Sequence, residues 1–450
     1  MAHAVEVSGI TVARPVKRPR GSSVTRAREL LRRPGRLAWA ILLVALAGRV
    51  AFVLLTDFVA IFDPGDYARH ARSLSEGNGY PGSLISGSED PTALRMPLYP
   101  LFLAVFDPLT GDGWQVARLA QAVLGTITVA LIGLLGWRVF NRRVGLVAMA
   151  LAAVFPPFIV LTGTLMSENL LLPLELGALL ALLQHLRSEH SYRWAVVAGI
   201  LCGLGMLTRP NAVVLLLAMA IGILSVRPRP WRAATVLVVA AAIVYAPWPV
   251  RNALTVNEFV PVATELGLVA TSTYNDHSAN LSSKKPGAWV APWQHASGAS
   301  GAILADKSLT EPEMDHRLTA EARHYIREHP AYPAEVAFWN SMRLLHIEEP
   351  NQWWYWENLG ISRKNGAFTQ WGFYPVALLA LVGIFFGGAG RAPRWIWLTP
   401  ALMWASLVFV NNEPRARAPI DPYFLLLAAL GAVVLWDRWR RRAPWAPAPA

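Results

Sequence analysis

Residues 37–56 read LAWAILLVALAGRVAFVLLT, and residues 62–67, just beyond them, read FDPGDY. The first stretch is about as long as an α-helix must be to cross the roughly 30 Å hydrocarbon core of a bilayer, and Arg49 is its one charge. The second places two carboxylates, Asp63 and Asp66, just outside that span. Apolar stretches recur at 114–137, 144–163, 168–186, 194–208, 211–226, 233–250, 372–388, 395–411 and 421–436. The expected fold is therefore an all-α polytopic membrane protein with about ten transmembrane helices. The pair 194–208 and 211–226 is short and abruptly joined at Leu207–Asn211, so a re-entrant pair is the alternative there.

Composition agrees. The chain has 450 residues, of which 54% are hydrophobic and 16% charged. Soluble domains carry about 25% charged residues. The net charge of +12 sits in short clusters between apolar stretches, a pattern of membrane topology rather than of nucleic-acid binding. Cys202 is the single cysteine, so no intramolecular disulfide can form.

The clusters Arg14–Arg36, Asn141–Arg143, Arg187–Arg193, Arg227–Arg232, Arg391–Arg394 and Arg438–Arg442 all fall on one side if the spans alternate. Excess arginine and lysine marks the cytoplasmic side. The protein is thus expected in the cell inner (plasma) membrane, with both termini on the cytoplasmic side. No Ala-x-Ala site follows the first span, which reads as uncleaved.

The expected organisation is a basic tail over 1–36, disordered over 1–30, then a transmembrane core over 37–250 with a first outer loop at 57–113. A large outer loop spans 251–371, C-terminal spans occupy 372–436, and a tail follows over 437–450. In the loops, Asp66–Glu76 has helical spacing with Tyr67, Ala71 and Leu74 on one face, ended by Gly77-Asn78-Gly79. Pro97–Phe106 is apolar but too short to span. Glu311–His329 and Pro333–Ile347 are further helix candidates.

Several outer residues suit chemistry. Asp63 or Asp66 could take a proton from an acceptor hydroxyl. The plainer reading is an Asp63 N-cap with Asp66 in the first turn. Arg95, amid apolar residues in Arg95-Met-Pro-Leu-Tyr99, suits a lipid phosphate, or merely snorkels to the headgroups. Ser167-Glu168-Asn169 places an acid at membrane depth, or caps a helix. Arg209 lies between two apolar stretches, where Glu168 or a lipid phosphate would be its partner. Arg251-Asn252 follows the seventh span. Arg415, Arg417 and Asp421 face outward, against the charge trend. Trp289, Trp293, Trp339, Trp353, Trp354, Trp356 and Trp371 could stack on sugars, but an interfacial belt explains most of them. No histidine spacing, Gly-rich phosphate loop, HExxH or CxxC is present.

In this order the motifs resemble those of the GT-C glycosyltransferases of the protein O-mannosyltransferase and aminoarabinose-transferase type. The matching residues are Asp63 with Tyr67 four positions later, Arg95-Met-Pro-Leu-Tyr99, Arg118, Gln121, Gly125, Ser167-Glu168-Asn169, Gly203–Pro210 and Pro247-Trp-Pro-Val-Arg251-Asn252. The likeness is looser through Tyr274-Asn275, Ala322–Pro330 and Arg415–Pro422. Pro64 stands where that family often has a second acid. The resemblance implies transfer of a sugar from a polyprenyl-phosphate donor to an extracytoplasmic hydroxyl of a glycan, lipid or protein. Asp63, Asp66 and Glu168 would be catalytic. Arg95, Arg209, Arg415 and Arg417 would hold the donor phosphate. Tyr67, Tyr99, Arg251, Asn252, Tyr274 and Asn275 would contact substrate. No cofactor is specified, although a divalent cation is compatible. A transporter or flippase, and a catalytically inactive subunit of the same shape, are the rival readings.

Overall fold

The computed structural model describes residues 35–82, 91–110, 113–188, 191–226, 230–256, 258–280, 285–290, 298–348, 354–410 and 413–442. The expected terminal tails, Trp293, Trp353 and most of the Arg227–Arg232 cluster lie outside these residues. Among the described residues every regular element is helical.

The principal helices are α1 (Arg36–Leu55), α2 (Phe62–Ser75), α3 (Leu98–Ala104), α4 (Gln115–Val139), α5 (Arg142–Ala153), α6 (Pro156–Thr162), α7 (Glu168–Arg187), α8 (Arg193–Met206), α9 (Val213–Val226), α10 (Trp231–Tyr245) and α11 (Pro247–Thr255). They continue with α12 (Leu266–Thr271), α13 (Glu311–Glu328), α14 (Tyr332–Leu344), α15 (Lys364–Phe386), α16 (Arg394–Val408) and α17 (Asp421–Arg442). Among the described residues six helices are long and apolar enough to cross a membrane: α1, α4, α7, the continuous α10–α11, α15 and α17. The bent pair α5 and α6 makes a seventh if counted as one span. The other three expected spans are also helical, but α8 and α9 have 14 residues and α16 has 15, short of the roughly 20 that cross a bilayer. The protein is thus a multi-pass membrane protein.

The α5–α6 break shows how irregular backbone survives at membrane depth. Pro156 and Pro157 cannot continue α5, and the two helices meet at 51°. The last carbonyls of α5 then lack partners, which is costly away from water. Arg49 supplies them. Fully buried in α1, it donates from Nη1 to the Ala153 carbonyl at 3.1 Å and from Nη2 to that of Ala152 at 3.2 Å. The only charge in the first span is therefore a cap for another helix.

The far end of α6 is held in the same way. Arg118 of α4 donates to the Gly163 carbonyl at 2.9 Å and to that of Thr56 at 3.0 Å. Gln121, one turn on, donates to the carbonyls of Thr162 and Thr164 and accepts from Tyr99 at 2.6 Å. These bonds fix the hairpin that presents Ser167 and Glu168.

Glycine permits the closest helix contacts. A Cβ on Gly383 would lie 1.9 Å from the Leu427 carbonyl, and one on Gly431 would lie 2.1 Å from that of Leu379. Helices α15 and α17 thus touch backbone to backbone, as small residues allow in lipid.

The loops build a layer over one end of the bundle. Helix α2 matches the expected surface helix, with Tyr67 and Ala71 buried, and left-handed Gly77 and Gly79 end it. Helix α13 opens with a capping box between Thr310 and Glu313. It packs on α12, where Asp315 accepts from the Gly267 backbone at 2.6 Å.

Arg49→Leu leaves two carbonyls of α5 unpaired inside the bundle. It should cost about 3 kcal/mol of stability. Thermal unfolding in detergent checks this, and an unchanged midpoint would show that the cap does not hold the break.

Candidate active site

The site begins with a strained turn. Phe62 has a φ of 47°, a left-handed conformation that is costly for a bulky side chain. The turn sets Asp63 in the first turn of α2, with Ile61 at the N-cap and no side-chain cap there. Asp63 is therefore not the helix cap that its spacing also allowed.

Its carboxylate instead joins two arginines that are distant in sequence. Oδ1 lies 2.5 Å from Arg95 Nη2, and Oδ2 lies 2.5 Å from Arg415 Nη2. Arg95 is a three-way hub. Its Nε reaches Asp66 Oδ2 at 2.9 Å and its Nη1 reaches Glu265 Oε1 at 2.9 Å. Arg415 also pairs with Glu413 at 2.8 Å and lies 3.8 Å from Glu168. Arg209 holds Glu168 at 2.7 Å, and its Nη1 also donates to Ser167 at 3.1 Å. Ser167 accepts from Tyr67 at 3.3 Å. Asp66 and Glu168 are fully buried, while Asp63, Glu265 and Glu413 each keep between a quarter and a third of their side chains in contact with solvent.

Backbone clamps hold each arginine in place. Glu311, the first residue of α13, accepts from Thr92 at 2.5 Å, from the Ala93 backbone at 2.8 Å, and from Thr264. It thereby ties the segment before Arg95 to the segment before Glu265. The Leu98 backbone donates to the Leu207 carbonyl at 2.9 Å, joining the Arg95 segment to the link that carries Arg209. Arg415 lies on a tight turn, Pro414–Arg417, just before α17.

Burial by itself would raise the Asp63 carboxyl, but the guanidiniums of Arg95 and Arg415 outweigh it and hold the group well below the usual carboxylate range. Burial likewise opposes the charge on Arg95, and the acids around it more than restore it. Five carboxylates (Asp63, Asp66, Glu168, Glu265, Glu413) face three guanidiniums (Arg95, Arg209, Arg415), so the ion-paired cluster carries 3 − 5 = −2.

The other expected residues divide. Tyr99 meets Tyr67 edge-on at 4.9 Å and sits beside the cluster. Arg251 donates to the Thr92 carbonyl at 2.7 Å and lies over Tyr80 and Trp248 at its margin. Asn252 is buried and bonds the Val260 carbonyl. Arg417 is buried away from Asp63; it pairs with Asp421 at 2.6 Å, donates to the Leu344 carbonyl and covers the Phe373 ring. Tyr274 donates to the Phe409 carbonyl at the end of α16, and Asn275 bonds the Thr271 carbonyl and the Ser278 backbone within its own loop. Trp371 is exposed, and Trp356 is core. No local signal marks Glu265 and Glu311, whose partners Arg95 and Ala93 lie 170 and 218 residues away.

Among the described residues no three His, Cys, Asp or Glu side chains converge as a metal would need. The carboxylates of the cluster are each turned toward an arginine instead.

Comparison with known proteins places this geometry. Residues 91–250 match the family model described as dolichyl-phosphate-mannose-protein mannosyltransferase. The structure is similar to the oligosaccharyltransferase AglB of Archaeoglobus fulgidus, solved with an inhibitory peptide and a dolichol-phosphate, at a TM-score of 0.51 and 13% identity over 90% of this chain. The chain has the GT-C fold. It spans about half (51%) of the archaeal chain's length. The same archaeal protein in complex with Zn and sulfate gives a TM-score of 0.52 at 14% identity, over 90% of this chain and 50% of that one. ArnT of Cupriavidus metallidurans bound to undecaprenyl phosphate is matched at a TM-score of 0.44 and 15% identity, over 91% of this chain and 80% of that one. No curated protein matches the sequence.

The depressed Asp63 carboxyl has a pH signature. A group whose folded pKa lies below its unfolded value stabilises fully above the unfolded pKa, about 4, and that stability is lost as pH falls through the folded value. Asp63→Asn should thus be less stable than wild type by about 2 kcal/mol at pH 7. The gap should persist to about pH 5 and shrink below about pH 4. Chemical denaturation from pH 7 to pH 3 measures it; a gap that widens on acidification would contradict the pairing.

Proposed function

We propose that the chain transfers a sugar from a polyprenyl-phosphate donor to an extracytoplasmic acceptor hydroxyl of a cell-envelope glycan, lipid or protein, with inversion at the sugar carbon. The observation that carries this reading is the single carboxylate of Asp63 held between Arg95 and Arg415 at 2.5 Å on each side. The family match over 91–250, which includes Arg95, Glu168 and Arg209, supports it. The dolichol-phosphate in the AglB structure is the carrier lipid of the donor class proposed. Residue Asp63 itself lies outside the matched segment, so its role rests on geometry alone.

The chemistry follows from the pairing. A phosphate monoanion or diester competes for the same guanidiniums that hold Asp63, because both are oxyanions recognised by paired N–H donors. Once the donor phosphate occupies Arg95 and Arg415, Asp63 loses the two charges that depress it. Its carboxyl then rises toward the ordinary range and becomes a better proton acceptor. Asp63 removes the acceptor's O–H proton as that oxygen bonds to the sugar carbon. The bond from sugar carbon to phosphate oxygen breaks, its electron pair stays on the phosphate, and polyprenyl phosphate leaves. The guanidiniums of Arg95, Arg415 and Arg209 meet the added negative charge as it develops. Buried Glu168 orients Arg209 and, through Ser167, the Tyr67 hydroxyl. Asp66 keeps Arg95 in place through its Nε.

The test is transfer from a panel of radiolabelled polyprenyl-phosphate sugars by purified protein in membranes. Wild type should transfer from at least one donor. Asp63→Asn should lose about 10³-fold in rate while still binding donor. Arg415→Gln should weaken donor binding, raising KM by about tenfold or more. Near-normal turnover by Asp63→Asn, or lipid movement across the bilayer with no transfer from any donor, would overturn the reading.

A further inference from the structure

A second polar cavity lies at the C-terminal end of α4, whose 25 residues span about 37 Å. It has a volume of about 290 Å³ and opens between the turn joining α4 to α5 and the ends of α15 and α17. Its polar lining is Asn141, Arg143, Arg391 and Asp437, and its apolar wall includes Leu430 and Val434. Arg143 is tied to Asp437 at 2.9 Å. Arg391 is exposed and makes no ion pair among the described residues, so the lining carries a net positive charge of 2 − 1 = +1.

Its depth can be read from the neighbouring aromatics. Trp436 and Trp439, on the same turns of α17 as Asp437, are about half exposed and lie 5.2 Å apart. Phe385 and Phe386 are exposed at the end of α15. Arg438 lies over Phe386 at 4.7 Å and Arg440 over Trp436 at 5.1 Å. Tryptophan and arginine crowd together at the membrane–water boundary, where an apolar body and a polar tip are both satisfied. The cavity thus sits at headgroup level and joins a cationic mouth to an apolar wall.

We propose that this cavity binds the headgroup of an anionic membrane phospholipid, its phosphate toward Arg391 and its acyl chains along Leu430 and Val434. A basic pocket between spans at headgroup depth is suited to such a ligand. The assignment is independent of sugar transfer, since none of these residues touches the Asp63 cluster.

The test titrates the purified full chain in detergent with phosphatidylglycerol, phosphatidylcholine and inorganic phosphate, reading occupancy by native mass spectrometry. Wild type should prefer phosphatidylglycerol over phosphatidylcholine by about fivefold or more, the effect of one arginine near the surface. Arg391→Ala should erase that preference. Val434→Trp fills the apolar wall without changing charge and should lower phosphatidylglycerol occupancy by a similar factor. Thermal unfolding of both variants in detergent alone checks that they fold, and either variant is sufficient for the test. Equal phosphatidylglycerol binding by wild type and a folded variant would overturn the proposal. So would millimolar inorganic phosphate that fills the site and displaces the lipid, which would identify a free-anion site instead.

Discussion

Two charges cannot be left unpaired at a membrane boundary, and Asp63 and Arg95 meet that constraint through each other. Asp63 closes the end of α1 and its exit turn, Arg95 closes the first outer loop, and Arg415 brings the turn before α17 onto the same carboxylate. Segments 352 residues apart in sequence are thereby pinned within one hydrogen bond. Other contacts of the outer layer brace this junction. Glu311 clamps the segments that carry Arg95 and Glu265, and Arg118 and Gln121 clamp the hairpin that carries Glu168. Removing one partner of a buried pair costs more than the pair contributes, because a charge is then stranded. The cluster is therefore held together by the penalty for breaking it as much as by its own attraction.

The same economy of backbone groups explains the bundle. A continuous helix pairs its own peptide groups, so α1, α4 and α7 need no help in lipid. The α5–α6 break does need help, and the chain spends its single first-span arginine there. Polar residues inside the apolar region mark backbone irregularities in this protein. Arg49 caps a break, and Gln121 and Asn169 satisfy the carbonyls of the turn between α6 and α7. Glu175 is an exception. It is fully buried mid-helix in α7 and accepts from Tyr423 of α17 at 3.2 Å, which ties the first half of the bundle to its last helix.

Most of the fold was legible because lipid imposes a simple rule. Length and hydropathy locate a helix wherever about 20 residues must hide their backbone, and helices lie at all ten expected positions. Their lengths were less legible. The 14-residue α8 and α9 are shortened by the turn at Pro210, and composition does not say how deep such helices reach. Asp63, Arg95, Glu168, Arg209 and Arg415 were all visible as charges with no apparent partner near an apolar stretch, and the structure brings those five together. Arg417, Asn252, Tyr274 and Asn275 carried the same kind of signal, yet they bond mostly backbone within the scaffold. A sequence shows that a polar group needs a partner, not whether that partner is a substrate or a peptide carbonyl. Glu265 and Glu311 were invisible because they sit among many loop acids, and only the tertiary fold selects them.

The cluster's charge of −2 bears on how a phosphate donor could enter it. An oxyanion gains little from a site that is already negative unless it replaces an anion on the same donors. Asp63 is the anion best placed to be replaced, since it is a quarter exposed and holds Arg95 and Arg415 by their outermost nitrogens. Asp66 grips Arg95 from below through Nε and is fully buried, so the guanidinium keeps its place while one fork changes partner. Displacement converts a structural ion pair into a free carboxylate beside the bound phosphate. On this reading, the constraint that orders the resting site also withholds its base until a donor arrives.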